Sequence, residues 1–243
     1  MGNITENIAD VRARIAAAAE RSGRRAEDLT LVCVTKTRSF EEIKEAIEAG
    51  EYQLGENHVQ EFVGKYERIQ DIADGLDKKP NIMWNLIGHL QRNKVKYIAG
   101  KTSLIHSVDS FRLAEEINAR FSATGKAADI LIQLNMAGEP QKSGVAVSEC
   151  EALVGEITDR LSSVRVKGLM AVTPETDDPE DVRVFFRAAR QVFDGLAEKR
   201  REAGFEHLSM GMTHDFEIAI EEGATIVRVG TAIFGPRKKG IAD

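Results

Sequence analysis

Short β-branched or apolar runs alternate with longer helical patterns along the chain, and this alternation limits the possible folds more than any other feature. Candidate strands lie at Leu29–Val34, Tyr52–Leu54, Ile82–Leu86, Leu104–His106, Ile130–Leu134, Val164–Met170, His207–Ser209 and Ile226–Val229. Helical patterns fall between them, near 40–49, 57–70, 90–99, 111–122, 148–161, 180–202 and 213–222, after an opening helix over Ile4–Arg21. Parallel strands need a crossover to bring the chain back, so strand–helix alternation with little coil predicts a parallel α/β architecture. Eight strands in 243 residues suit a (β/α)8 barrel, whose usual length is about 250 residues. The expectation is one α/β domain over residues 1–243, a single TIM barrel with an extra N-terminal helix. A doubly wound open sheet is the rival, although it usually needs fewer strands for a nucleotide site.

Local signals mark several helix ends. Ser39-Phe40-Glu41-Glu42 reads as a capping box, and Gly50 stands where a left-handed residue closes a helix. Asp178-Pro179 supplies an N-cap and a first-turn proline, with Gly204 as the closing residue of the same helix. Within it Val182, Phe185, Phe186, Ala189, Val192, Phe193 and Leu196 form one apolar stripe, which implies core packing. Arg68 to Pro80 reads as an exposed helix end and loop, and Gly138 to Gly144 as a second surface loop.

Composition narrows the function classes. The chain carries 33 basic and 39 acidic residues, a formal net charge of −6, which argues against general nucleic-acid binding. The longest apolar run, Ile15 to Ala19, is far too short to span a membrane. The first twenty residues lack the apolar core of a secretory signal, and two cysteines, Cys33 and Cys150, suit a reducing compartment. A cytoplasmic protein is expected. Gly100-Lys101-Thr102 resembles a P-loop tail, but Val95 stands where the loop needs glycine. Histidines 58, 89, 106, 207 and 214 show no metal-ligand spacing, so no metal is expected.

Three features at strand ends carry chemistry. Lys36 follows Leu31-Val32-Cys33-Val34-Thr35 and emerges at the face where barrel active sites lie. There it is either a desolvated, nucleophilic amine or a lysine that snorkels into solvent. Ser209-Met210-Gly211-Met212-Thr213 follows the seventh strand and Arg228-Val229-Gly230-Thr231 closes the eighth. The loops there often bind phosphate in barrels; alternatively Gly211 and Gly230 only permit turns and Thr213 only caps a helix. Arg228 lies inside a strand that should be buried on both faces, so its guanidinium needs acceptors in the barrel mouth or a structural carboxylate partner. Together a lysine, a phosphate site and an arginine suggest a phosphorylated aldehyde held as a Schiff base. Pyridoxal phosphate is such a molecule.

The motifs VTKTRS at 34–39, GENHVQE at 55–61, NLIGHLQRNK at 85–94 and HSVDS at 106–110 continue with QLNMAGEPQKSG at 133–144 and VKGLMAVTP at 166–174. SMGMTHDFEIAI at 209–220 and RVGTAIFG at 228–235 complete the set. In this order they resemble the pyridoxal phosphate homeostasis proteins, single barrels related to the N-terminal domain of alanine racemase. The resemblance implies that Lys36 carries pyridoxal 5'-phosphate as a Schiff base. It implies that Ser209, Gly230 and Thr231 hold the phosphate with the backbone at Met210, that Asn57 lines the pocket, and that Arg228 faces the pyridine nitrogen. A cation there disfavours protonation of the ring and weakens it as an electron sink, as in the related racemases. Asn85 and His58 stand where relatives often carry histidine and tyrosine, and Thr213 where they often carry serine; His214 is expected on a surface helix.

The chain ends eight residues after Gly235, which leaves no room for the β-rich domain that supplies a racemase with its opposing base. The resemblance therefore implies a monomeric carrier that buffers or delivers the cofactor to pyridoxal-phosphate-dependent apoenzymes. The alternatives are a weak racemase or transaminase using the same cofactor, and a cofactor-free Schiff-base aldolase.

Overall fold

The computed structural model describes residues 3–136, 143–174, 176–200 and 204–236. Eight parallel strands close into a barrel in chain order: β1 (Thr30–Val34), β2 (Gln53–Glu56), β3 (Met83–Leu86), β4 (Leu104–Val108), β5 (Ala128–Asn135), β6 (Val164–Val172), β7 (His207–Ser209) and β8 (Ile226–Val229). Closure comes from β1, which sets Cys33 opposite Leu54 of β2 and Val32 opposite Arg228 of β8. The expected (β/α)8 fold is present.

Helices α1 (Ile4–Arg21), α2 (Phe40–Glu48), α3 (Val59–Asp74), α4 (Val95–Ile98), α5 (Phe111–Ser122), α6 (Val147–Arg160), α7 (Arg183–Lys199), α8 (Phe216–Glu221) and α9 (Thr231–Phe234) surround the strands. Alternation along each strand divides the core in two. Val32, Leu104, Leu131, Met170 and Ile226 pack together inside the barrel. Leu31, Cys33, Trp84, Ile105, Leu169 and Val227 face outward against the helices. The stripe on α7 behaves as its spacing requires: Phe186, Ala189, Phe193 and Leu196 are buried, each phenylalanine contributing about 2 kcal/mol.

The caps predicted at Ser39, Gly50 and Asp178 form, whereas α7 closes at Arg200 and not at Gly204. Ser39 accepts from the amide of Glu42 at 3.2 Å while Glu42 accepts from the amide of Ser39 at 2.8 Å. Asp178 caps a 3-10 turn, Pro179–Val182, that leads into α7. That helix ends at Lys199, short of the expected 202. Residues 137–142, most of the anticipated Gly138–Gly144 loop, lie outside the described residues.

Other boundaries moved where tertiary contacts outweigh local preference. Strand β2 runs on through Gly55 and Glu56, poor strand formers, because Gly55 pairs with Val34 and Asn85. The pattern over 90–99 yields only a 3-10 turn at 92–94 and the single turn α4. Helix α8 begins at Phe216, three residues later than expected. The short α9, which the sequence did not suggest, follows β8 directly and is held by α1 through Asn7 Nδ2, which donates to the Ile233 carbonyl at 2.8 Å.

Helix α1 packs its buried Ile8, Val11, Ile15, Ala18 and Ala19 beside α2, α8 and α9. Its Arg12 forms a two-pronged pair with Glu51, at 2.7 and 2.6 Å. Among the described residues no helix is long and apolar enough to cross a membrane, and no cluster of His, Cys, Asp or Glu is arranged to hold a metal ion.

Candidate functional site

Loops at the C-terminal ends of β1, β2, β3, β6, β7 and β8 surround a cavity of about 340 Å³. Its walls combine apolar Val34, Ile87, Met170 and Val172 with cationic Lys36, Arg38 and Arg228. Thr213, His214, Gly230, Thr231 and Asn57 complete most of the remaining lining, and none of the described lining residues is a carboxylate. A concave site with apolar walls and a few convergent polar groups is the form a small-molecule site takes. Three cationic side chains gathered at one cavity favour an anionic ligand.

Lys36 stands two residues beyond β1, half-buried, in a turn closed by the Arg38 amide on the Thr35 carbonyl at 3.1 Å. Thr37, the next residue, has φ of 61°, a conformation that a β-branched side chain rarely takes. The buried Arg38 side chain donates to the carbonyls of Phe234 and Gly235, tying the β1 loop to α9. Sequence reasoning missed Arg38 as a lining residue, because two cations in the VTKTRS motif look alike until the fold points them.

Arg228 is buried, and burial lowers its guanidinium to about 10 against the opposing field of Asp215. It remains charged at neutral pH. The acceptors it needs are Ser209 Oγ at 2.7 Å and the Ala171 carbonyl at 3.3 Å. Behind Ser209 the contacts continue across the barrel: Ser209 Oγ to His106 Nδ1 at 3.0 Å, and His106 Nε2 to Asn85 Oδ1 at 3.1 Å. Asn85 donates through Nδ2 to Gln53 Oε1 and the Leu54 carbonyl, so its oxygen faces the imidazole and Nε2 carries the proton. The Ser209 hydroxyl therefore donates to Nδ1 and accepts from Arg228. Burial, and then the Arg228 charge, hold His106 well below its ordinary value, so the imidazole is neutral as this chain of bonds requires.

The resemblance implies phosphate contacts for Ser209 and for the backbone at Met210. Both are fully buried and neither lines the cavity, because strand alternation turns Ser209 into the barrel interior beneath Arg228. The hydroxyls at the cavity are those of Thr213 and Thr231. Gly211 enables the turn that brings Thr213 there: φ is +90°, and a Cβ would lie 2.5 Å from the Ala219 Cβ. The buried Asp215 then accepts from the Met212 amide, while burial raises its carboxyl above the usual value. His214 lies in this loop, exposed at the cavity, instead of on a helix. His58 is exposed and lies outside the main lining. Asn57, Gly230 and Thr231 line the cavity.

Directly behind the Lys36 turn lies a charged cluster that the motifs did not disclose. Lys65 of α3 is buried with its Nζ 2.8 Å from Glu56 Oε1 and 2.6 Å from Glu61 Oε1. Glu56 is fully buried, and burial raises its carboxyl to about 7 although Lys65 pulls the other way. The signal available in the sequence was one of spacing only: Glu61 and Lys65 are four residues apart and share a helix face.

The family model for the alanine racemase N-terminal domain matches residues 4–238. A pyridoxal phosphate homeostasis protein of Aquifex aeolicus is 44% identical over 236 residues, covering 97% of this chain and 99% of its own. The chain belongs to the pyridoxal phosphate homeostasis protein family. Its Escherichia coli relative of the same description is 41% identical, with 98% of each chain covered. Among solved structures, PipY of Synechococcus elongatus with pyridoxal phosphate bound superposes with a TM-score of 0.81 at 30% identity, covering 96% of this chain and 100% of that one. The fold and the family expected from the motifs are thus both present.

Proposed function

We propose that this chain binds pyridoxal 5'-phosphate in the barrel-mouth cavity and serves in the homeostasis of that cofactor, as a carrier and not as a catalyst. The observation that carries the reading is the convergence of Lys36, Arg38 and Arg228 on one cavity with apolar walls and no described carboxylate in its lining. The names of the relatives, and the cofactor in PipY, support the same reading.

The residues present fit the group. Lys36 would supply the primary amine for the aldehyde. Gly230, Thr231 and Thr213 supply amides and hydroxyls for the phosphate, with Arg38 adding positive charge nearby. Val172 and Met170 offer apolar surface to a ring, and Asn57 a polar edge. Arg228 would face the ring nitrogen and disfavour its protonation, since two positive charges would meet there. When bound, pyridoxal phosphate supplies an electron sink for carbanion chemistry, and an arginine in this position weakens it. Ser209 holds Arg228 in place.

That residues 1–243 act as one cofactor-binding domain, that the protein is monomeric and cytoplasmic, and that apoenzymes receive the cofactor from it are parts of the same proposal. The test is to titrate the purified protein with pyridoxal phosphate while following visible absorption, and then to add an apoenzyme or amino acids. A saturable band that declines as the apoenzyme gains activity supports a carrier. Sustained amino-acid turnover by the pure protein would replace it with the racemase or transaminase reading.

A further inference from the structure

The turn that carries Lys36 is fastened on both sides to one buried charged knot. On the N-terminal side the Thr35 carbonyl accepts from Lys65 Nζ at 2.6 Å, and the Thr35 hydroxyl donates to Glu56 Oε1 at 2.6 Å. On the C-terminal side the Thr37 amide donates to Glu61 Oε1. Lys65 joins the two halves, since its ammonium contacts both carboxylates. The ends of β1 and β2 and the first turns of α3 thus meet around the residue between Thr35 and Thr37.

Three observations set this knot apart from ordinary packing. Its cation and one carboxylate are buried, with side chains 8% and 0% exposed for Lys65 and Glu56, and such groups lose hydration that apolar residues would not. Glu56 Oε2 has no hydrogen-bond partner, so the cluster is not arranged to satisfy every polar atom. Thr37 holds a left-handed backbone in a turn where glycine is the relaxed choice, and its amide is bound by Glu61. Strain retained next to a reactive side chain, and held there by neighbouring groups, is the pattern of a preorganised site.

We propose that Glu61 and Lys65 are positioning residues for Lys36, pinning the peptide on each side so that its amine meets an incoming aldehyde at a set place in the cavity. This rests on the reading of Lys36 as the amine that takes up pyridoxal phosphate. In that step the amine nitrogen forms a double bond to the aldehyde carbon, and the carbonyl oxygen leaves as water with the two amine protons. The bonds of the knot are to the Thr35 carbonyl and hydroxyl and to the Thr37 amide. The knot acts by restricting where the Lys36 backbone can be, and misplacement on the ångström scale slows such reactions strongly.

The experiment compares wild type with Glu61→Ala, Glu61→Gln and Glu61→Asp as full-length proteins, using pyridoxal phosphate as the probe. Two quantities are read: the rate at which the visible band appears, and amide hydrogen exchange at Thr37 in the cofactor-free protein. Glu61→Ala is expected to slow the band about tenfold and to speed exchange at Thr37. Glu61→Gln keeps an acceptor oxygen for the Thr37 amide and should restore both to within about twofold of wild type. Glu61→Asp keeps the charge but withdraws the oxygen by one methylene. It should behave like Glu61→Ala, and serves if the alanine variant does not fold. A wild-type rate in the alanine and aspartate variants, or faster exchange at Thr37 without a slower band, overturns the positioning role alone. A wild type that forms no band overturns the cofactor reading, and this inference with it.

Discussion

Arg228 donates to Ser209 Oγ at 2.7 Å inside the barrel, so the serine that closes β7 serves the arginine of β8 and not the cavity. The bond separates two roles that the motif SMGMT runs together. Ser209→Ala should leave a buried guanidinium short of an acceptor and His106 Nδ1 without its donor, costing about 1–3 kcal/mol of stability. Chemical denaturation measures that loss, and cofactor titration should show phosphate retention much less affected.

Thr213 and Thr231 present their hydroxyls at the cavity that Ser209 does not reach. Thr213→Ala and Thr231→Ala should each weaken pyridoxal phosphate binding by about tenfold, the equivalent of one hydrogen bond to a charged group. Binding of pyridoxal, which lacks the phosphate, should change little in either variant. Comparing the two affinities by absorption titration checks the assignment, and an equal loss for both ligands would contradict it.

Lys36 follows β1 at the edge of the same cavity, outside the packed layer of the barrel. Lys36→Ala should therefore keep the wild-type fold by circular dichroism while losing the visible band completely. Borohydride followed by mass spectrometry should fix the cofactor to wild type and leave the variant unmodified. A modified variant would move the covalent site to another lysine.

Glu56 predicts a pH effect whose sign follows from its burial. The folded protein raises this carboxyl from 4.5 to about 7, so the native state holds the proton more tightly than the unfolded chain. Its contribution is present in full below pH 4.5 and is lost as pH rises through 7. Relative to Glu56→Gln, which cannot ionise, wild type should lose stability over that interval by up to about 3 kcal/mol. Denaturation midpoints of the two proteins at several pH values test it, and a constant difference between them would show that Glu56 does not titrate there.

Much of the barrel was legible because its signals are local. The Phe186–Leu196 stripe, the Ser39 cap and the run Leu31–Val34 each state their structure within a few residues. Boundaries failed where partners outside the segment decide them. Glu56 ends a strand because the pairing of β2 with β3 extends to it, and α9 is tied to a helix distant in sequence by Asn7, which donates to the Ile233 carbonyl. At the site, Lys36, Gly230 and Thr231 were legible as residues at strand ends.

By itself the sequence determined that the chain alternates strand and helix, that Lys36 leaves the first strand, and that threonines and glycines follow the last two. Those properties depend on side-chain period and local caps, which neighbours in sequence are enough to produce. Tertiary structure decided which groups meet: that Arg38 and Thr213 share a cavity with Lys36, that Ser209 turns inward to Arg228, and that Lys65 bridges the carboxylates behind the Lys36 turn. Closing eight strands brings residues distant in sequence to within hydrogen-bonding reach, and a one-residue change of register turns a side chain to the opposite face. The distances that define this site are properties of the closed barrel.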